Sequence, residues 1–305
     1  VTQQFKRIKR PITGVLLLDK PLGVSSNGVL QKVKWLFQAE KAGHTGNLDP
    51  LATGLLPICL GEATKFSQAL LDADKAYVAT LKLGEVTTTG DAEGEVIERR
   101  EVSYTPAQLQ LVLGGLVGCI EQVPPMYSAL KHQGKALYEY ARQGVEIVRQ
   151  ARAVTIFELT LLDAKADVIQ IEVSCSKGTY IRVLAEEIGR QLGCGAHLIG
   201  LHRTRTAGFD VADAITIDAL EALAPADRDA LLLDADVLLA SLPSASLAQE
   251  SAYAFTHGQA VKCAVEQDAG EIKVYGPSGA FLGLGEVTAD QRIAPKRVLR
   301  IDREM

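Results

Sequence analysis

Residues 43–57 read GHTGNLDPLATGLLP. Gly43, Gly46 and Gly54 permit positive φ or a close approach of backbone to ligand. Pro50 pushes the preceding Asp49 into an extended conformation. The spacing predicts loop for much of this stretch. A lone carboxylate on such a loop is either a nucleophile or base or the acceptor of an Asx-type turn, and the pattern alone does not choose between them. The phosphate-cradling pattern G-x-x-x-x-G-K-[ST] is absent.

Regular elements are expected on either side. Residues 14–19 (GVLLLD) form a short apolar run ended by Lys20-Pro21, a buried strand. Ser25 or Ser26 caps a helix through Val29, Val33 and Leu36. Residues 76–83 alternate as a strand, with Tyr77, Ala79 and Leu81 on one side. Helices are predicted over 105–116, 137–142 and 180–192, and an antiparallel pair over 153–162 and 168–175. Residues 218–250 read as mostly helical until 241–247, a Ser/Pro/Ala linker. Short strands at 272–275, 280–287 and 298–301 then suggest a small barrel. The expected organisation is a body over 1–250, with an insertion at about 124–152, and a module over 251–305.

Composition narrows the function classes. The chain has 305 residues, 47% apolar and 23% charged, enough for a sizeable core without disulfides. No apolar run approaches the ~20 residues of a membrane span, and none near the N-terminus suits a secretory signal, so a cytoplasmic protein is expected. Five scattered cysteines (Cys59, Cys119, Cys175, Cys194, Cys263) read as reduced thiols. Cys194 and His197 have C-x-x-H spacing, a weak metal signal without a second pair; no metal is expected. Net charge is −5, but unevenly spread: residues 1–65 carry nine Lys/Arg against four Asp/Glu, and residues 206–250 one against nine. One acidic stretch masks a basic half, which suits a polyanion or merely a solvated surface.

The 43–57 segment closely resembles the catalytic motif of the TruB family of tRNA pseudouridine synthases, with Asn47 in place of the usual Ala or Ser. Further matches follow in order: Leu18-Asp19-Lys20-Pro21, residues 61–65 (GEATK), Lys75-x-Tyr77, residues 122–131 (QVPPMYSALK), 176–182 (SKGTYIR), 193–197 (GCGAH) and 201–205 (LHRTR). The likeness is strong over 11–210. It is weaker over 251–302, which resembles that family's PUA-type barrel.

The resemblance implies an α/β (α+β) fold: a mixed, largely antiparallel sheet with flanking helices, plus a small PUA-like β-barrel. It implies conversion of the uridine at position 55 of the tRNA T loop to pseudouridine, with no cofactor and no obligate protein partner. Asp49 corresponds to the catalytic Asp, Arg182 to its pairing Arg and Tyr77 to the Tyr that stacks on the target base. Tyr180 and Leu201 correspond to pocket residues, and His44 to a residue filling space left by flipped bases. Read without the resemblance, Arg182 is a surface arginine and Tyr77 or Leu201 a core residue. Lys20, Lys65, Lys131, Arg142, Arg203 and Arg205 are candidate phosphate contacts, and the 124–152 insertion is expected to close over RNA. His202 departs from a commoner Arg. Two alternatives remain: a guide-RNA-dependent synthase of related type, and a non-catalytic tRNA-binding chaperone. A glycoside hydrolase would need a second acid near Asp49, and Glu62, the next carboxylate, sits in a matched motif.

Overall fold

In the computed structural model, which describes residues 9–262 and 269–300, the 14–19 run lies inside strand β1 (Gly14–Lys20), almost wholly buried. Around it a ten-stranded mixed sheet is built from β2 (Ala42–His44), β3 (Ala52–Leu60), β4 (Lys75–Leu83), β5 (Gly118–Gln122), β6 (Arg152–Lys165), β7 (Val168–Cys175), β8 (Ala196–Thr206), β9 (Phe209–Asp210) and β10 (Ile215–Thr216). The order is β10-β1-β3-β8-β4-β7-β6-β5, with β2 beside β3 and β9 beside β8. Only β1–β10 and β3–β8 are parallel. The mixed, largely antiparallel sheet expected from the sequence is therefore present.

The helices form where capping and periodicity coincide. Helix α1 (Ser26–Leu36) starts at Ser25, whose hydroxyl accepts the Gly28 N–H at 3.1 Å, and buries Val29, Leu30, Val33 and Leu36. Helix α2 (Pro106–Gly115) opens on a Thr105/Gln108 capping box. Helices α3 (Leu137–Ala141) and α4 (Ile181–Gln191) follow. One large core joins α1, α2 and α4 to the sheet.

Three local expectations are corrected. The 43–57 stretch is only partly loop, because residues 52–57 enter β3. Pro57 is tolerated inside a sheet for a geometric reason. Its carbonyl accepts Thr45 N–H at 3.1 Å, so its nitrogen faces the same flank, where pairing with β8 ends at Gly54 and pairing with β2 begins at Ile58. The 218–250 stretch is broken into Ile217–Ala222, Pro225–Asp229 and a 3-10 turn Ala235–Leu239: Leu223 and Ala224 are extended ahead of Pro225, and Leu233 leaves the helical path to exchange backbone bonds of 2.8 and 2.9 Å with Val15. The 241–247 stretch is not a free linker: Ser244–Ser246 is strand β11, paired in parallel with residues 273–275 of a later strand.

The C-terminal sheet has the order β11-β13-β14-β15-β12, with β12 (Val261–Lys262), β13 (Gly270–Tyr275), β14 (Phe281–Val287) and β15 (Arg292–Val298). The last strand comes earlier than the 298–301 reading; Ile301 and Cys263 lie outside the described residues. Helix α5 (Gln249–Thr256) packs Ala252 and Phe255 into the core of this sheet. A second cluster joins it to the body: Leu284, with Phe281 and Leu299 at its edge, packs with Val15, Leu17, Leu55 and Phe66.

Candidate active site

Ser26 fixes the loop that carries Asp49. Its buried hydroxyl donates to Leu48 O at 2.9 Å and accepts Leu48 N–H at 2.8 Å, so the first turn of α1 holds the residue before Asp49 by both backbone groups. Asp49 O in turn accepts Ala52 N–H at 3.0 Å, closing the turn into β3.

Arg182, in the first turn of α4, is 8% exposed. One terminal nitrogen lies 3.2 Å from Asp49 Oδ2 and donates to Tyr127 O at 2.6 Å. The other lies 3.2 Å from Asp91 Oδ2 and donates to Thr89 O at 3.3 Å. The guanidinium thus bridges two carboxylates. Asp91 is buried and accepts from Thr89 Oγ1 at 2.5 Å and Glu93 N–H at 3.0 Å. Its chain segment is stitched to β8 by Ala92 N–H to Leu198 O and Leu198 N–H to Gly90 O.

Burial pushes the Asp49 carboxyl above its ordinary range, against the downward pull of Arg182. The arginine therefore offsets desolvation only in part. Burial lowers Lys20 to about 8, opposed by attraction to Asp49, and lowers His44, favouring neutral imidazole. Tyr77 is raised by burial, with Arg203 pulling the other way.

These groups surround a cavity of about 760 Å³ whose walls include Asp49, Tyr77, Tyr180, Arg182, Leu201 and His44. Tyr77 comes from β4 and Leu201 from the adjoining β8. Tyr180 is held by a clasp from Gln122, which accepts its N–H at 2.9 Å and donates to its carbonyl at 3.3 Å. Residues 128–131 of the insertion form one wall, so Lys131 also reaches the cavity.

The six basic candidates separate. Lys131, Arg142 and Arg205 are exposed; Arg142 lies over the Tyr138 ring at 5.3 Å. Lys20 and Arg203 correct the expectation of phosphate contacts, being 0% and 1% exposed. Lys20 Nζ is spent on Pro21 O at 2.8 Å, and Arg203 Nε on Leu55 O at 2.6 Å. Lys65 is half-buried: it pairs with Glu62 and donates to Val298 O at 2.7 Å, tying β15 to the body. His202 sits with Nδ1 2.8 Å from Thr53 Oγ1, and Asn47 is at the cavity rim.

Asp91 escaped the reading of the sequence. Its only signal is the run Thr87-Thr88-Thr89-Gly90-Asp91, short polar residues ahead of a glycine at φ +74°, which looks like any turn until Arg182 is placed beside it. Ser26 reads in the sequence as a cap candidate, and in the fold it anchors the Asp49 loop. His197, of the C-x-x-H pair, places Nδ1 3.1 Å from Glu85 O. No helix among the described residues is long and apolar enough to cross a membrane.

A carboxylate held by a buried arginine beside a tyrosine, in a cavity on a large mixed sheet, can be weighed against known proteins. Residues 34–181 match the N-terminal domain of TruB family pseudouridylate synthases, 182–240 a tRNA pseudouridylate synthase B C-terminal domain and 243–299 the pseudouridine synthase II TruB C-terminal domain. The class is that of the pseudouridylate synthases, which are isomerases. Among similar proteins, tRNA pseudouridine synthase B of Methylobacillus flagellatus is 57% identical over 97% of this chain and 98% of its own. The enzyme of that name from Chromobacterium violaceum is 55% identical over 95% and 96%. The chain belongs to the TruB family. A chain in a crystal structure of a Cbf5-Nop10-Gar1 complex shares the fold, with a TM-score of 0.71 and 26% identity, covering 93% of this chain and 84% of that one.

Proposed function

We propose that this enzyme isomerises the uridine at position 55 in the T loop of tRNA to pseudouridine, with Asp49 as nucleophile or base. The observation that carries the reading is the Asp49–Arg182 contact of 3.2 Å at the wall of a cavity also lined by Tyr77. The relatives named as tRNA pseudouridine synthases, similar over nearly the whole chain, support the substrate.

The reaction breaks the C1′–N1 bond and forms C1′–C5; C5 loses a proton and N1 gains one. It needs no oxidant and consumes no water. The target uridine must first leave its stack, at a cost of a few kcal/mol. Tyr77 offers a face to receive the base, Tyr180 and Leu201 wall it in, and His44 occupies space near the loop. Lys131, Arg142 and Arg205 remain as exposed phosphate contacts. Residues 1–250 carry the chemistry, the 124–152 insertion covers the RNA, and the module over 251–305 adds affinity for RNA.

The test is incubation with an unmodified tRNA transcript, followed by chemical mapping of pseudouridine. The expected result is one modified T-loop uridine, lost in Asp49→Asn while tRNA affinity stays nearly intact. Tight binding without isomerisation, in the unsubstituted enzyme, would favour the guide-dependent or chaperone readings instead.

A further inference from the structure

Arg203 is among the largest fully buried side chains of the protein. It faces Tyr77 across the β8–β4 pair, the two residues being direct register partners. Among the described residues no carboxylate is paired with it; Tyr77, its cross-strand neighbour on the wall of the same cavity, is the titratable group that attracts it. Nε is taken by Leu55 O, while Nη2 is buried with no hydrogen-bond partner. The loop that carries Asp49 passes beside this side chain, where a Cβ on Gly46 would be in van der Waals contact with Nη1 at 3.4 Å, and β3 runs tight against the Arg203 backbone, where a Cβ on Gly54 would lie 2.3 Å from the carbonyl oxygen.

A buried guanidinium without a counter-charge is costly. A strut between β8 and β3 would need only the backbone bond to Leu55, which an uncharged donor supplies. What the cation adds is an oriented donor and a positive potential at the Tyr77 hydroxyl, on the wall of the cavity. We propose that Arg203 is a positioning residue, fixing the Tyr77 hydroxyl toward the reacting base and acting through Tyr77 rather than on RNA phosphate. This rests on the proposed function, since it presumes that Tyr77 meets the target base.

The test is a double-mutant cycle in single-turnover isomerisation at saturating tRNA. Arg203→Lys, which keeps the charge but loses the guanidinium fork, is expected to slow the Tyr77 enzyme roughly tenfold or more, and the Tyr77→Phe enzyme less than about twofold. Affinity for tRNA should hold within about twofold, since no phosphate contact is removed. Equal slowing in both backgrounds, as for a strut, or a loss chiefly in affinity, overturns the proposal. Should Arg203→Lys not fold, or Tyr77→Phe be too slow to time, nitrogen-edited NMR of the arginine guanidinium groups decides. Tyr77→Phe, which removes one hydroxyl, should move the Arg203 Nη–H signals, and unchanged signals overturn the coupling. Absence of any isomerisation by the unsubstituted enzyme would instead sink the proposed function, while the NMR result still reports on the Arg203–Tyr77 contact.

Discussion

Asp49 and Asp91 share one guanidinium, each with a carboxylate oxygen 3.2 Å from a different terminal nitrogen of Arg182. The deeper carboxylate, Asp91, orients the arginine that the shallower one uses. Asp91→Asn keeps the shape but removes the charge, leaving Arg182 free to turn or to pair more tightly with Asp49. Turnover on saturating tRNA should fall roughly tenfold to a hundredfold, equivalent to about 1.4–2.8 kcal/mol of barrier. Single-turnover rates beside tRNA affinity would check it, and affinity should change little.

Ser26→Ala tests how far the Asp49 loop depends on α1. The substitution leaves Leu48 N–H and C=O, both bonded to this hydroxyl, without a partner in a buried place. Each unsatisfied group costs about 1–3 kcal/mol. A fall in thermal midpoint is expected, together with slower turnover as Asp49 loses its register against Arg182. Unchanged turnover in a destabilised protein would show that the loop is held from elsewhere.

The pH dependence follows from the raised Asp49 carboxyl. In the proposed role the reactive form of Asp49 is the anion, so activity is lost as pH falls through the folded-state value. Because that value lies above the ordinary carboxylate, about 4, the acid limb of the rate profile should appear at higher pH than an exposed Asp would give. Removing the cation with Arg182→Met takes away the larger of two downward pulls, the other being Lys20, and should move the limb further up. Single-turnover profiles of the two enzymes measure both shifts.

Gly54 has φ +98°, and a Cβ there would meet Arg203 backbone at 2.3 and 2.7 Å. Two rigid strands face each other, so neither can withdraw. Gly54→Ala should cost several kcal/mol in strain and separation of β3 from β8, read as a lower thermal midpoint. Gly23→Ala, also at positive φ but with nothing within 4 Å, should cost only about 1–2 kcal/mol.

What could be read in advance was local or motif-borne. Ser25 as cap, the β6–β7 pair and the amphipathic α4 are written in spacing that one element, or two adjacent in the chain, satisfies without the rest of the fold. The Asp49, Tyr77 and Arg182 set was legible through resemblance, and the cavity brings all three together. Burial was not legible, since charge in a string does not say which lysines and arginines face inward. Lys20 and Arg203 therefore read as phosphate contacts, although both are buried and committed to a carbonyl within the protein. Asp91 was missed for the complementary reason: its partner lies 91 positions later, on another element.

The strand order has a consequence for the birth of the enzyme. β8, which supplies Leu201 and Arg203, lies between β3 and β4, yet more than a hundred residues separate it in the chain from either. A nascent chain that has emerged only as far as β7 has Asp49 and Tyr77 but no strand to seat them side by side. The gap in the middle of its sheet closes when β8 slides in between two neighbours already made. Such non-local closure slows folding and leaves unpaired strand edges open to wrong partners meanwhile. The side-by-side seating of Asp49 and Tyr77 thus waits on a strand made after both of them, and after the helix that brings Arg182.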